Sequence, residues 1–202
     1  STNGQQVADE VYKRTGVRID IIDGAEEASI IASTDISSLI QKDKDYLYID
    51  VGGGSTEFTV FSKGKVKKSR SFPIGTVRLL DNKVSNKTWE EVEHWIKKHT
   101  KDCEHIEAIG SGGNINKIHK NSNSREGEPL SYQYLTDYLN YVSGFTYDER
   151  IRLLGFNPDR ADVILYALTV FINAMKWSGA EIVHVPRIGL ADGIVRSIYN
   201  EE

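Results

Sequence analysis

Leu47, Ile49 and Val51 alternate with Tyr46, Tyr48 and Asp50. This two-residue period predicts a buried strand over 46–51 that ends in a carboxylate. Phe58-Thr59-Val60-Phe61 is rich in β formers and predicts a second strand over 57–61; a third runs over 65–72, joined to it at Ser62-Lys63-Gly64. Together they predict a three-stranded meander whose solvated face carries Lys65, Lys67, Lys68 and Arg70. Upstream, Val7, Val11 and Tyr12 recur at helical spacing over 5–14, and Gly16 stops that helix. Residues 17–22 alternate and predict a strand; Asp23-Gly24 turns, and a helix over 25–33 opens with Glu26 and Glu27. Acidic residues complement the positive end of a helix, and by position alone that explains the pair.

Downstream the period lengthens. An amphipathic helix is expected over 85–100, capped by Ser85 or Asn86, with Trp89, Val92 and Trp95 facing the core. A strand over 105–110 follows, then a helix over 115–120 and a polar loop over 121–128. Helices are expected over 131–142, 147–154 and 158–177, the last being the longest and most apolar, then a strand over 181–185 and a short helix over 194–199. Strands and helices interleave in this way in an α/β chain with a mixed sheet flanked by helices.

The chemistry gathers where strands end in glycine. Gly52, Gly53 and Gly54 follow the first central strand, with Ser55 and Thr56 next and Asp50 and Glu57 on either side. Glycine lets the backbone approach a ligand closely, and successive free amides form a concave anion site to which the Ser55 and Thr56 hydroxyls can add. Carboxylates beside a phosphate pocket repel it unless a divalent cation lies between, and Mg²⁺ is the usual one. A hairpin whose glycines only make a turn is the plain alternative. The loop is not the helix-opening phosphate loop, because no Gly-Lys-Ser/Thr follows, nor a dinucleotide fingerprint, because a strand comes next. Gly110-Ser111-Gly112-Gly113-Asn114 forms a second such turn, here between a strand and a helix, and reads as a second phosphate or nucleotide site. Gly189 to Gly193 holds a third.

Composition narrows the classes. The 202 residues carry a formal net charge of −4, which argues against a DNA-binding surface. Cys103 is the single cysteine, so no internal disulfide forms, in keeping with a reducing, cytoplasmic setting. No apolar run reaches transmembrane length. His94, His99, His105, His119 and His184 show no metal-ligand spacing, and no Gly-x-Ser-x-Gly elbow is present.

Read together, several runs resemble the Ppx/GppA phosphatases, the exopolyphosphatases and guanosine pentaphosphate phosphohydrolases of the actin–hexokinase–Hsp70 superfold. They are Ile21 to Ala28, Asp50 to Glu57, Ser71 to Leu79, Gly110 to Asn114, Asn157 to Asp162 and Gly189 to Gly193. The resemblance covers nearly the whole chain in the family's order. It implies an actin-like, ribonuclease H-like lobe over 45–202, preceded over 1–44 by the closing helix–strand–helix of a first lobe whose opening strands are absent. It also implies that Gly52, Gly53, Gly54, Ser55 and Thr56 are the second phosphate loop, that Asp50 and Glu57 hold Mg²⁺ and its waters, and that Glu27 is the general base. Arg78 becomes an additional phosphate contact. The implied substrates are inorganic polyphosphate or guanosine penta- and tetraphosphate, handled weakly by a lone lobe. One departure stands out: the last turn reads Gly-Leu-Ala-Asp-Gly, with Ala191 where the family usually has arginine. A kinase of the same superfold and a non-catalytic phosphate-sensing domain stay open beside the hydrolase, and the long apolar helices leave room for a homodimer.

Overall fold

The computed structural model describes residues 3–22, 40–41 and 43–186. Glu27, the expected helix over 25–33, the Gly189–Gly193 turn and the expected final helix lie outside the described residues.

Helix α1 (Gly4–Thr15) opens the chain and ends at Gly16. Strands β1 (Asp45–Val51), β2 (Thr56–Ser62) and β3 (Lys65–Phe72) form the expected meander. A short helix α2 (Thr76–Leu80) precedes α3 (Asn86–Thr100), and the Ser85 hydroxyl caps α3 by accepting from the Thr88 amide. Next come β4 (Ile106–Ser111), α4 (Gly113–Asn121), β5 (Leu130–Ser131), α5 (Tyr132–Ser143), α6 (Tyr147–Arg152), α7 (Pro158–Ala161), α8 (Ile164–Ser178) and β6 (Ile182–His184). The sheet order is β3-β2-β1-β4-β6-β5. The meander is antiparallel, β4 pairs parallel with β1 and β6, and β5 is antiparallel to β6.

Alternation in β1 sorts its side chains to two faces. Leu47, Ile49 and Val51 join the main core with Phe58, Trp95, Ile115, Ile118, Leu168 and Phe171. Tyr46 and Tyr48 instead meet Phe61, Ile109 and Ile40 on the opposite face. Helix α8 crosses the main-core face and packs against α5, α3 and β1. Each of its fully buried large side chains, such as Phe171, contributes about 1.5–3 kcal/mol.

Three expectations change. Residues 17–22 form no strand, and Val17 and Ile21 are each 58% exposed. Alternation marks a face, but a strand also needs a ladder partner, and no described strand runs beside this segment. The expected helix over 158–177 is broken between α7 and α8. There the Arg150 guanidinium donates to the Ala161 carbonyl at 3.0 Å and to that of Val142 at 3.3 Å, taking an acceptor that a continuous helix would use. β5 was not expected, because two residues are too few to show a period.

Candidate active site

Register places the polar ends of four strands in one row. Ser71 of β3 pairs with Glu57 of β2, Glu57 with Asp50 of β1, and Asp50 with Ser111 of β4. Direct cross-strand partners lie side by side on one sheet face, so the two carboxylates are neighbours between two serines. The Ser55 and Ser71 hydroxyls both donate to Glu57 Oε1, at 2.7 and 2.6 Å. Asp50 Oδ2 accepts from the Tyr48 hydroxyl at 3.4 Å. Burial pushes the Asp50 carboxyl above its ordinary value, and the nearby Glu57 charge pushes it further, against hydrogen bonds from Ser111 and Tyr48.

The glycine loop is tied down from behind. Gly52 donates to the Ser55 carbonyl at 3.0 Å and closes the turn. The Gly52 and Gly53 carbonyls accept from the Thr76 and Val77 amides, each at 3.0 Å. Arg78 Nε donates to the Gly54 carbonyl at 2.8 Å. All three loop carbonyls are therefore held by the start of α2, while the Gly53, Gly54 and Ser55 amides meet no acceptor among the described residues. Free amides opposite anchored carbonyls are the arrangement that receives an anion.

Two of the expected loop residues take other parts. The Thr56 hydroxyl is fully buried and donates to the Ile74 carbonyl, so it braces the loop from the core side and adds nothing to an anion site. Arg78 holds the loop through its Nε, with its exposed guanidinium beside Gly54.

At the second turn, Gly110 is a packing residue: a Cβ there would stand 3.0 Å from Phe171 and 3.1 Å from both Ile115 and Val183. Ser111 reaches Asp50. Gly112 has φ +104°, which side chains rarely adopt, and a Cβ there would meet the Val51 carbonyl at 3.2 Å and Asp50 Oδ1 at 3.4 Å. Gly113 opens α4 and lies against the Arg160 guanidinium. Asn114 is buried, and its Oδ1 has no hydrogen-bond partner among the described residues. The structure thus brings Asp50, Glu57, both serines of the row and the two glycine turns to one end of the sheet's central strands.

Gly75, Ser71 and Arg160 are contributors that pattern reading left without a role. Gly75 and Ser71 lie in the run 71–79 and Arg160 in the run 157–162, but their partners are distant in sequence.

The carboxylate pair suits Mg²⁺. That ion takes one or two carboxylates and completes its shell with water and phosphate oxygens. Two acidic groups side by side, with the Asp50 carboxyl pushed up first by burial and then by the Glu57 charge, are what a divalent cation would neutralise. No group of three His, Cys, Asp or Glu side chains arranged for a metal occurs among the described residues.

A mixed sheet with an antiparallel meander, parallel β4 and β6 and flanking helices defines an actin-like, ribonuclease H-like lobe. The chain belongs to the Ppx/GppA phosphatase family, whose pattern it matches over residues 1–202. It is similar to an exopolyphosphatase from Cytophaga hutchinsonii (TM-score 0.80, 20% identity), covering 100% of this chain and 72% of that one. It is also similar to the Ppx/GppA family member of Aquifex aeolicus (TM-score 0.75, 20% identity), covering 100% of this chain and 71% of that one. Among curated relatives, a bifunctional 3-dehydroquinate synthase/phosphatase of Fusobacterium nucleatum is 27% identical over 208 residues. That match takes in 92% of this chain but spans only 31% of the relative's length. No helix among the described residues is long and apolar enough to cross a membrane.

Proposed function

We propose that this chain carries the phosphate-handling lobe of a Mg²⁺-dependent phosphohydrolase that removes the terminal phosphate of inorganic polyphosphate or of guanosine penta- or tetraphosphate. Membership of a phosphatase family supports the reaction class. The observation that carries the reading is the pairing of Asp50 with Glu57 beside a glycine loop whose carbonyls are all tied back. Asp50 and Glu57 would hold Mg²⁺, which neutralises charge on the transferred group when bound. The Gly53, Gly54 and Ser55 amides receive the phosphate oxygens. Ser55 and Ser71 fix the Glu57 carboxylate by donating to Oε1. Arg78 keeps the loop closed. Phosphoryl transfer to water depends on positioning and charge neutralisation, and these residues supply both. Glu27 takes the proton from the attacking water.

Phosphate release from long-chain polyphosphate and from guanosine pentaphosphate, measured in parallel with the full-length protein and its Glu27→Gln variant, tests this. The proposal expects release from at least one substrate, abolished by the substitution. Unchanged release in Glu27→Gln removes the base assignment. Binding without release in the wild type turns the site into a phosphate sensor.

A further inference from the structure

We infer that the cavity between the end of α2, α3 and α8 is an effector site for the base of a nucleoside, coupled to the glycine loop through α2. The ligand chemistry follows from the cavity; the effect on catalysis rests on the hydrolase reading above. The cavity has a volume of about 570 Å³. Small-molecule sites occupy roughly 300–1,000 Å³.

Leu79 and Asn82 line it from α2 and the turn after it, Trp89 from α3, and Tyr166, Asn173 and Trp177 from one stripe of α8. None of the described lining residues is Asp, Glu, Lys, Arg or His, so the cavity offers no countercharge to an ionic group and suits a neutral one. The Trp89 and Trp177 rings meet edge to face, with centroids 6.0 Å apart and planes at 64°. Both rings are half-buried and form part of the wall, where a planar base can stack. The polar groups beside them are uncommitted. The Asn82 and Asn173 carboxamides, the Tyr166 hydroxyl and both indole N–H groups have no hydrogen-bond partner among the described residues. Buried Tyr and Trp usually give these groups a partner. Thr169, on the same stripe of α8, is by contrast already spent, donating to the Leu165 carbonyl at 2.8 Å. A carboxamide sets a donor beside an acceptor, the pattern that pairs with the edge of a nucleobase. A neutral sugar shares the stacking but has no planar edge to pair.

Helix α2 joins this cavity to the loop. Its Thr76 and Val77 backbone amides hold the Gly52 and Gly53 carbonyls, and Leu79, two residues on, lines the cavity. Two residues are about 3 Å along a helix. The Leu79 backbone amide donates to the Gly75 carbonyl at 2.9 Å, and that of Asn82 to the Leu79 carbonyl at 3.0 Å. The turn that lines the cavity and the turn that holds the loop are therefore one hydrogen-bonded unit. A base held by the Asn82 carboxamide fixes that unit, and a fixed α2 keeps the loop amides aimed at phosphate. Occupancy of the cavity thus lowers substrate KM.

The test uses the full-length protein and three variants. Asn173→Ala removes one carboxamide from α8 without touching α2, and Ala is the better helix former. Asn82→Gly removes the other, and Gly accepts the φ of +54° found there. Lys65→Gln is an exposed control on β3. Calorimetry measures binding of adenosine, guanosine, cytidine and glucose, and steady-state kinetics give KM for long-chain polyphosphate with and without each. At least one nucleoside is expected to bind and glucose is not. Nucleoside affinity is expected to fall at least ~10-fold in Asn173→Ala and in Asn82→Gly. Bound nucleoside is expected to lower KM at least ~5-fold in the wild type and in Lys65→Gln, and less in Asn173→Ala at the same concentration. The preference among the three nucleosides names the base. Binding of no nucleoside, or wild-type affinity in both Asn variants, overturns the site, and binding of glucose alone overturns the nucleobase. Nucleoside binding that leaves the wild-type KM unmoved overturns the coupling through α2. If the wild type releases no phosphate yet binds a nucleoside, and Asn173→Ala weakens that binding, the hydrolase reading fails and the site stands.

Discussion

Gly75 lies so close to Gly53 that a Cβ at position 75 would stand 2.2 Å from the Gly53 carbonyl oxygen and 2.5 Å from the Gly54 carbonyl carbon. The backbone at Gly75 is extended (φ −127°, ψ 160°), so torsional freedom is not what demands glycine there. Space demands it. The start of α2 reaches the loop carbonyls only because nothing stands between the two backbones. Gly75→Ala is expected to push the loop away, costing roughly 1–3 kcal/mol of stability through overpacking. Phosphate release is expected to fall at least ~10-fold at temperatures where the variant is still folded. Denaturant midpoints and activity measured on the same samples check this; wild-type activity would show that the loop tolerates the shift.

Arg78 acts on the same loop from its exposed side. Arg78→Ala removes one charge-assisted hydrogen bond at an exposed position, so stability is expected to drop by less than about 1 kcal/mol. Substrate KM is expected to rise, because the Gly54 carbonyl is then free to turn and misdirect the amides. Arg78→Lys, whose ammonium can still reach that carbonyl, is expected to recover part of the loss. Steady-state kinetics of the two variants separate this role from a purely structural one, which would leave KM unmoved.

Glu107 ties β4 to its surroundings through Lys44 at 2.5 Å and His184 at 2.7 Å. Burial pushes its carboxyl up, but the hydrogen bonds and charges of Lys44 and His184 outweigh burial and hold it below the ordinary 4.5. A carboxyl depressed in the folded state stabilises above its unfolded value, and that contribution is lost as pH falls through the folded value. Glu107→Gln is expected to lower stability at neutral pH by about 1 kcal/mol, a figure kept small because Lys44 is 35% exposed. The difference from wild type should shrink as pH drops below 4.5. Denaturant titrations across that range decide it; a difference that does not change with pH would contradict the charge-based account.

Cys103 is raised from 9.0 to about 11, first by burial and then by its hydrogen bond to Asp45 and that carboxylate's charge. At mildly alkaline pH its thiolate fraction is therefore about 100-fold below that of a free thiol. Alkylation by iodoacetamide is expected to be at least ~10-fold slower in the folded protein than after unfolding in urea. Equal rates in the two states would contradict this.

Elements with strong local periods were legible in the sequence. The alternation of 46–51, the β formers of 57–61 and the Ser85 cap of α3 each specify their own structure within a few residues. Elements that depend on a distant partner were not. Residues 17–22 alternate like a strand but have no ladder beside them among the described residues, and the break before α8 is set by Arg150, which no local pattern reveals. The site divides in the same way. The placing of Asp50 and Glu57 on either side of a glycine turn between two strands could be read directly, because their spacing in sequence is their spacing in a hairpin. The inward turn of Thr56, the service of Ser71 to Glu57 and the seating of Arg160 on Gly113 could not, because each contact joins segments that only the fold brings together.

The most direct test of the central claim is phosphate release by the full-length protein across a Mg²⁺ titration, comparing wild type with Asp50→Asn. Asparagine keeps the size of Asp50 and one acceptor oxygen but removes the charge that, paired with Glu57, would hold the ion. The account predicts saturable, Mg²⁺-dependent release in the wild type and a loss on the order of 100-fold in the variant. Release in the variant within about twofold of wild type, or undiminished release when Mg²⁺ is chelated, would contradict it.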